Sequence, residues 1–360
     1  MSTHIVTVTG YGSGGEGIAR LEDGRVVFIR QAAREDVLEV RITREHARSA
    51  RAEIVRVLSP SPYRTEQHCP VYPECGGCDF RHILYEEELR AKLRRVNDAL
   101  RRIGGLSARA EEILSAGPTG GYRNKAVFHS DGTALGFYRA QSHDIVPVKH
   151  CQLCKPEIND ALQRLQRSSP PAGETELRSS REEELDGLVF QVSGFFQVNA
   201  GAARLLYQTA RQYAALTRND TLLDLYCGVG ALTLFAGRDA GRALGVEIHP
   251  ASVEAARENA RRNRLPHIEF LCADAADRET ALPAPDCVIA DPPRRGLSPG
   301  AVRKILGLSP PKIVYLSCDP ATLARDVRSL EGYGVKDIRA VDMFPRTANV
   351  ECCCLLVRGG

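Results

Sequence analysis

The chain has 360 residues, of which 43% are hydrophobic and 26% are charged, and its formal net charge is +3. A chain of this length favours two or three domains over one hydrophobic core. No apolar run reaches the roughly 18 residues of a membrane-spanning helix, and the N-terminal stretch lacks the basic and apolar regions of a signal peptide. We therefore expect a cytoplasmic protein without a membrane segment. Twelve cysteines in a reducing compartment favour metal binding or catalysis over disulfide bonds.

The first part of the chain predicts short β-strands separated by glycines. Residues 4–58 contain HIVTVTG, GIARLE, RVVFIR and VLEVRIT, in which apolar and polar residues alternate. This pattern is typical of a small OB-like barrel, which often binds oligonucleotides but can equally be a structural appendage. The segment LSPSPYR predicts a linker after the barrel. We assign residues 1–58 to this first domain.

Three cysteines, Cys69, Cys75 and Cys78, fall within ten positions of the segment CPVYPECGGCDFRH. Crowded thiolates with this spacing are typical of a metal or iron–sulfur site, which needs a fourth ligand. The later segment KHCQLCKP offers Cys151 and Cys154. Spacing leaves both candidates open, and it leaves zinc open as an alternative to iron and sulfide.

The middle of the chain mixes helical and strand-like patterns. An amphipathic helix is predicted over residues 85–102, strands over 121–150, and a polar exposed loop or hairpin over 168–184. We assign residues 59–190 to a central α+β domain. We expect its helix, at about 83–112, to pack on the domain that follows.

From Thr221 onward, buried apolar strands alternate with helices, which predicts a doubly wound, mostly parallel sheet. We assign residues 191–360 to this Rossmann-like domain, whose ligand site should lie beyond the carboxyl ends of the strands. The segment LLDLYCGVG places Asp224 at a strand end and two glycines, Gly228 and Gly230, in the following turn. Glycines let the backbone approach a ligand closely.

Three acidic residues are candidate ligands at the predicted strand ends. Glu247 ends the strand after the glycine turn, where a carboxylate can bind both ribose hydroxyls. The turn lacks the third glycine of a dinucleotide site, so S-adenosylmethionine fits better than a dinucleotide, which stays the alternative. Asp274 can bind an adenine amine or cap a helix. Asp291 opens the segment DPPRRGL, whose two prolines stiffen a loop facing the same crevice.

The segment IVYLSCDPATLARD places Cys318 between a hydrophobic strand and a helix. The positive potential of a helix N-terminus lowers the pKa of a thiol, so we predict that Cys318 is a nucleophile. The other cysteines of this domain lie in or beside apolar strands and are expected to pack in the core: Cys227, Cys272, Cys287, Cys352, Cys353 and Cys354. Glu351 leads into the last apolar strand, where an acid is costly to bury unless it is paired or used. We predict that it is a base, with a structural glutamate as the alternative.

These motifs together resemble the RNA 5-methyluridine methyltransferase family over nearly the whole chain. The resemblance is carried by CPVYPECGGC, GYRNKAVF, LGFYRAQSHDIVPV, GFFQVN, DLYCGVG, DPPRRGL, YLSCDPATLARD and MFPRTANVE. The first 58 residues resemble the TRAM barrel of members that modify 23S ribosomal RNA. The resemblance implies a class I methyltransferase fold that uses S-adenosylmethionine, and a 4Fe–4S cluster held by Cys69, Cys75, Cys78 and Cys151. We expect a monomer that binds RNA.

The resemblance also implies a mechanism. Cys318 would add to C6 of a uracil flipped out of the RNA, and Glu351 would remove the C5 proton after methyl transfer. Five residues would line the cofactor and uracil pockets: Gln197, Tyr226, Glu247, Asp274 and Asp291. The chain departs from the family pattern at Arg346 and Asn349, where the family typically has His or Gln and His, and both changes flank the predicted base.

Three other functions remain open. One is methylation of the T-loop uridine of transfer RNA. Another is methylation of cytosine C5 in RNA, which is disfavoured because Arg294, not cysteine, follows the prolines of DPPRRGL. The third is RNA binding with weakened catalysis, which the changes at Arg346 and Asn349 would allow.

Overall fold

The computed structural model describes residues 3–167, 172–192, 196–277 and 279–359. The chain divides into two compact units. The first comprises Met1–Lys92, Pro118–Ser179 and Phe344–Asn349, and the second comprises Leu93–Gly117, Ser180–Met343 and Val350–Gly360. Within the described ranges, every helix is too short or too polar to cross a bilayer.

The described residues form twenty strands and seven α-helices. The strands are β1 (Thr3–Thr7), β2 (Gly10–Tyr11), β3 (Gly17–Arg20), β4 (Val26–Ile29), β5 (Val37–Glu45), β6 (Ser49–Ser59), β7 (Ile113–Leu114), β8 (Lys125–Ser130), β9 (Leu135–Tyr138), β10 (Ile145–Pro147), β11 (Gly173–Arg178), β12 (Glu182–Leu185), β13 (Leu188–Gln191), β14 (Thr221–Leu225), β15 (Arg242–Glu247), β16 (Ile268–Cys272), β17 (Cys287–Ala290), β18 (Lys312–Ser317), β19 (Tyr333–Val341) and β20 (Glu351–Arg358). The helices are α1 (Tyr85–Ala99), α2 (Pro156–Gln166), α3 (Ala200–Ala214), α4 (Ala231–Gly237), α5 (Pro250–Arg262), α6 (Pro299–Leu308) and α7 (Pro320–Ser329), and a π-helical turn over Leu100–Gly104 extends α1.

The first unit begins with a six-stranded sheet in the order β1-β5-β6-β4-β3-β2. Alternate side chains of these strands, among them Val6, Val27 and Leu38, form a core of their own because successive residues of a strand point to opposite faces. The predicted strand-rich segment over residues 4–58 is thereby confirmed.

The rest of the first unit contains an antiparallel sheet in the order β10-β9-β8-β11. Phe128 of this sheet packs with Ile158 and Leu162 of α2. The strands predicted over residues 121–150 are confirmed. The loop or hairpin predicted over 168–184 is wrong for Gly173–Arg178, which pairs with β8 along its full length, whereas residues 168–171 lie outside the described ranges. Backbone hydrogen bonds rather than buried side chains hold this edge strand, so its polar composition concealed it.

The second unit is built on an eight-stranded sheet in the order β16-β15-β14-β17-β18-β20-β19-β7. The first five strands in this order are parallel, whereas β20 is antiparallel to both β18 and β19. Leu223, Val288 and Tyr315 of the sheet share a core with Ile305 of α6 and Leu323 of α7. The predicted mostly parallel α/β sheet is confirmed, and β14 to β18 and β20 are the apolar strands expected from Thr221 onward.

Two strands of this sheet were not predicted. β19 has exposed residues at Lys336 and Asp337 beside an irregularity in its pairing with β20, which breaks its apolar pattern. β7 has only two residues, Ile113 and Leu114, and pairs with β19 at the edge. Neither segment shows the regular alternation of apolar and polar residues from which a strand is predicted.

Helix α1 confirms the amphipathic helix predicted from residue 85 onward. Val96, Ala99 and Leu100 lie in the core of the second unit together with Ala110. The two units divide the chain differently from the three predicted domains, because Leu93–Gly117 joins the second unit and Phe344–Asn349 joins the first. The boundaries at residues 58 and 190 stay a prediction.

Candidate active site

The predicted site residues of the second unit collect at one edge of its sheet. Since β14 to β18 are parallel, their carboxyl ends share an edge. Five candidates lie at or just after these ends: Tyr226 after β14, Glu247 in β15, Asp274 after β16, Asp291 after β17 and Cys318 after β18. The topology therefore brings together residues from five separate segments.

Strand β20 adds Glu351 to the same edge. Because β20 runs antiparallel to β18, it begins where β18 ends, and Ser317 pairs with Cys352. Continuing this register by one residue places Cys318 opposite Glu351. The predicted nucleophile and the predicted base thus come together through strand pairing.

The glycine turn after β14 has a backbone that few side chains tolerate. Tyr226 has a φ of 70°, and its N–H donates to the carbonyl of Val246 at 3.0 Å. Gly230 has a φ of 79°, and a Cβ at this position would lie 2.7 Å from the ring of Phe270. Only glycine fits there, so the turn stays close to β15 and exposes its backbone ahead of α4.

Glu247 is held rigidly beside this turn. One carboxylate oxygen, Oε2, accepts from the N–H of Gly228 at 3.1 Å, and Oε1 accepts from the N–H of His249 at 2.9 Å. A carboxylate has more lone pairs than these two bonds use. Glu247 can therefore bind ligand hydroxyl groups without rearrangement.

Asp224 is a buried carboxylate with one oxygen unsatisfied. Its Oδ2 accepts from the hydroxyl of Thr233 at 2.5 Å, whereas Oδ1 has no hydrogen-bond partner among the described residues. Burial raises the pKa of Asp224 to about 8, against the bond from Thr233 and with the help of the carboxylates of Asp291 and Glu247. Leaving a buried oxygen without a hydrogen bond costs free energy of folding. The unsatisfied Oδ1 therefore indicates that a polar ligand binds here.

The DPPRRGL loop that begins at Asp291 is anchored by α7. Asp326 Oδ2 accepts from the N–H of Leu297 at 2.7 Å and from the hydroxyl of Tyr315 at 2.6 Å. Sequence reasoning missed Asp326. This residue lies in α7, and the sequence does not show that its side chain binds a loop about thirty positions earlier. Burial raises the pKa of Asp291 to about 6.

Cys318 is half-buried between β18 and α7. The side chain of Asp319 caps α7 by accepting from the N–H of Thr322 at 2.9 Å, as the motif predicts. The expected lowering of the thiol pKa is wrong, however. Burial raises the pKa of Cys318 to about 11, and the carboxylates of Glu351 and Asp291 act in the same direction. Desolvation and negative charge outweigh the helix N-terminus.

Glu351 is only 5% exposed. Burial, followed by the negative charge of Asp291, raises its pKa to about 8, and the guanidinium of Arg294 opposes this shift. Arg294 also lowers the pKa of Cys318, so one exposed cation acts on both residues. A carboxyl group with a pKa near neutrality is suited to proton transfer.

Tyr207 of α3 is a further residue that sequence reasoning missed. It is 5% exposed, and its pKa is raised by burial and then by the charges of Asp291, Asp224 and Glu351. A tyrosine at helical spacing is indistinguishable from an ordinary core residue in the sequence. In the structure, the negative charges of three carboxylates act on its hydroxyl group.

The remaining two candidates differ in exposure. Gln197 is buried two residues before Asn199, which caps α3 by accepting from the N–H of Ala202 at 3.2 Å. The first two residues of its GFFQVN motif lie outside the described ranges. Asp274 is exposed and accepts from the N–H of Ala276 at 2.8 Å. This bond closes a local turn, and no described helix begins there, so the helix-cap alternative is wrong.

The four predicted cluster ligands lie around one cavity of the first unit. Its walls include Cys69, Cys75, Cys78 and Cys151 together with Arg81 and Arg123. Cys78 Sγ accepts from Nε of Arg81 at 3.2 Å, and Cys75 Sγ accepts from the N–H of Gly77 at 3.4 Å. These donors favour the thiolates, but burial outweighs them and raises the pKa of Cys75 and, to about 12, that of Cys78.

Cys154 lies beside Cys151, since a hydrogen bond between the two thiols lowers the pKa of Cys151 and raises that of Cys154. It is 3% exposed, packs in a core with Phe128 and Leu162, and does not line the cavity. The carboxamide of Asn159 holds the segment by accepting from the N–H of Cys151 at 2.8 Å and donating to its carbonyl at 3.1 Å. In the part of the chain that the structure describes, no group of three or more His, Cys, Asp or Glu side chains is arranged to hold a metal ion.

Two family models match the sequence. The model for tRNA (uracil-5-)-methyltransferases matches residues 188–359, and the model for the TRAM domain matches residues 2–55. The first match covers β13 to β20, and the second covers most of the six-stranded sheet of the first unit.

Similar proteins cover nearly the whole chain. A protein of Thermosynechococcus vestitus named an uncharacterized RNA methyltransferase is 33% identical, over 95% of this chain and 95% of its own. Another with that name, from Synechocystis sp., is 31% identical over 98% of this chain and 95% of its own. Among solved structures, the tRNA (uracil-54, C5)-methyltransferase of Pyrococcus abyssi, crystallised with S-adenosyl-L-homocysteine, has a TM-score of 0.79 and 23% identity, covering 98% of this chain and 99% of that one. This likeness shows that the two chains share a fold.

Proposed function

Because the chain belongs to the RNA (uracil-5-)-methyltransferase family, we propose that it methylates C5 of a uridine in RNA with S-adenosylmethionine as the methyl donor. One observation carries the proposal. Ser317 of β18 pairs with Cys352 of β20, so Cys318 and Glu351 are the next residues of the two segments, at the edge of the sheet where the glycine turn lies, and the charge of Glu351 acts on the Cys318 thiol. A thiol and a carboxyl group placed in this way can act on the same substrate ring.

The two residues have complementary tasks. C5 of uracil is a poor nucleophile, so Sγ of Cys318 adds to C6 and forms an S–C6 bond, which makes C5 electron-rich. S-adenosylmethionine supplies the electrophilic methyl group when bound. Glu351 then takes the C5 proton, and the electron pair of the C5–H bond re-forms the C5=C6 bond while the thiolate leaves. The uridine must be flipped out of the RNA stack to reach both groups.

The donor's binding site is proposed at the carboxyl edge of the sheet. Glu247, already oriented by Gly228 and His249, would bind the ribose hydroxyls, and the unsatisfied Oδ1 of Asp224 offers a further acceptor. Asp274 would bind the adenine amine. Gln197, Tyr226 and Asp291 would complete the cofactor and uracil pockets.

The charges at this edge suit a cationic ligand. Three carboxyl groups, those of Asp224, Asp291 and Glu351, have pKa values raised by burial. A positive charge nearby would favour their ionised forms and would lower the pKa of the Cys318 thiol. Thiolate formation would then be favoured when the positively charged donor is in place.

We propose 23S ribosomal RNA as the target, because the TRAM match over residues 2–55 and the proposed cluster together resemble the members that modify ribosomal RNA. Transfer RNA is the alternative, because the Pyrococcus abyssi protein is named for uracil 54 of tRNA. Mapping of 5-methyluridine in total RNA from cells with and without the gene distinguishes them. We expect one site in 23S ribosomal RNA to lose the methyl group completely, and restoration by a plasmid copy is the control. Loss at a tRNA site would overturn the target, and no loss in either RNA would overturn the activity.

We also propose that Cys69, Cys75, Cys78 and Cys151 hold a 4Fe–4S cluster. They line one cavity with thiolate-stabilising donors, yet they are not arranged as ligands of one ion. Cys151 lines this cavity and Cys154 does not, which favours Cys151 as the fourth ligand. Zinc held by the same thiolates is the alternative, and metal content distinguishes the two.

Metal analysis tests the cluster. The protein purified without oxygen should contain about four irons and four sulfides per chain, as expected for this cluster type, with a broad visible absorption. Replacing Cys151 with alanine should remove most of the iron, whereas Cys154→Ala should retain it. Zinc without iron in the wild type would rule out the cluster. Loss of iron only in Cys154→Ala would show that Cys154, not Cys151, is the fourth ligand.

A further inference from the structure

The segment just before Glu351 is held by many hydrogen bonds within the first unit. This segment, Phe344–Asn349, is called the base loop below. Its carbonyl at Phe344 accepts from Nζ of Lys92 at 3.1 Å, and its carbonyl at Pro345 accepts from the hydroxyl of Tyr122 at 3.1 Å. The backbone of the loop is therefore fixed by side chains that are distant in sequence.

Arg346, one of the two departures from the family pattern, is fixed through both its backbone and its side chain. Its φ is 70°, and its N–H donates to Glu88 Oε1 at 2.7 Å. Its guanidinium donates to the carbonyl of Ile83 at 3.2 Å, and its centre lies 5.5 Å from the ring centroid of Tyr85. The arginine therefore strengthens the attachment of the base loop.

Asp79 binds the base loop at two points. Its N–H donates to the carbonyl of Arg346 at 2.9 Å, and its carboxylate Oδ2 accepts from the N–H of Ala348 at 2.9 Å. The neighbouring Phe80 also donates its N–H to the carbonyl of Arg346, at 3.1 Å. Asp79 follows Cys78 directly, so a single residue connects the cysteine segment to the base loop.

We infer that Asp79 is a positioning residue, whose two hydrogen bonds to the base loop hold Glu351 where it can reach the C5 proton. The inference rests on the proposed function. Glu351 begins β20 two residues after the base loop ends, so a displaced loop displaces the carboxyl group. Cys318 and the proposed donor ligands lie on other segments and do not depend on Asp79.

Asp79→Ala removes the carboxylate bond to Ala348 and keeps the backbone bond to Arg346, and the separation from Cys318 gives this variant a specific signature. Addition of Cys318 to C6 and methyl transfer come before removal of the C5 proton, so a misplaced base stalls the reaction after the S–C6 bond has formed. Displacement of a reacting group by about 1 Å can cost roughly 100-fold in rate. Asp79→Ala should therefore lower kcat by about 10- to 100-fold and raise the fraction of RNA bound covalently to the protein.

The experiment compares Asp79→Ala with two variants and the wild type at equal iron content. RNA from cells lacking the gene is incubated with each protein, and covalent RNA–protein adduct is measured on a denaturing gel beside kcat and donor affinity. Asp79→Asn keeps an oxygen that accepts from Ala348 and should recover to within a few-fold of wild type. Asp160→Ala, which removes an exposed aspartate of α2, is the matched control and should behave as wild type.

The outcomes separate this inference from the proposed function. More adduct with unchanged donor affinity supports the inference. A drop in kcat without adduct, together with weaker donor binding, would mean a purely structural role and overturn it, as would wild-type kcat in Asp79→Ala. If Asp79→Ala does not fold, Tyr122→Phe removes another bond to the base loop and should show the same adduct, and its absence there would overturn the inference. A wild-type protein without 5-methyluridine product would refute the proposed function instead.

Discussion

Replacing Cys318 with alanine should abolish methyl transfer while donor affinity stays within about two-fold of wild type. The reason is that the bond to C6 is formed by the Cys318 thiol, and loss of a covalent nucleophile typically costs at least about 10⁴-fold in turnover. The side chain does not belong to the proposed donor ligands. Incorporation of labelled methyl groups into RNA lacking the modification measures turnover, and calorimetry measures donor binding.

Cys272→Ser is the matched control for removal of a thiol. Cys272 also ends a strand of the same sheet, but it is exposed, so the core position expected from the sequence is wrong for this cysteine. It has no proposed role, and its variant should turn over as the wild type does. Measurable turnover by Cys318→Ala would refute the assignment of the nucleophile. Loss of turnover and of donor binding together would point to damage of the fold.

Glu351→Gln should accumulate a covalent RNA adduct and slow product release by about 10²- to 10⁴-fold, the usual range for loss of a general base. Glutamine preserves the shape of the side chain but cannot accept the C5 proton. In the wild type, decay of the adduct should accelerate as pH rises toward about 8, because the base acts in its ionised form and burial raises its pKa to about 8. Decay in the variant should lack this pH dependence.

The adduct is measured by quenching single turnovers at several pH values. Glu331→Gln, which changes an exposed glutamate after α7, is the control and should form no lasting adduct. A Glu351→Gln protein that releases methylated RNA at the wild-type rate would show that another group takes the proton. A variant that forms neither adduct nor product would show that Glu351 is needed before Cys318 adds to C6.

The sequence predicted the parallel part of the sheet well, because buried strands such as β14 and β18 are apolar runs followed by polar residues. It also predicted Cys318 and Glu351 individually. Their proximity was not predictable, since it depends on the pairing of β20 with β18, and the sequence pattern does not show which strands pair. Short-range patterns carry no information on such pairings.

Electrostatics was the least predictable property. The position of Cys318 before α7 suggested a lowered thiol pKa, and the structure gives a raised one. The difference comes first from burial, and then from the charges of Glu351 and Asp291, which lie on distant segments of the chain. Tyr207, Asp326 and the attachments of the base loop were missed for the same reason, because each depends on contacts between remote parts of the chain.

The placement of the base loop has a consequence for biosynthesis. Residues Phe344–Asn349 complete a unit that otherwise ends at Ser179, although the chain on either side of them belongs to the other unit. Domains generally fold as they leave the ribosome, the N-terminal ones first. Here the first unit includes residues that are synthesised long after Ser179, so this unit is complete only when most of the second unit has already left the ribosome.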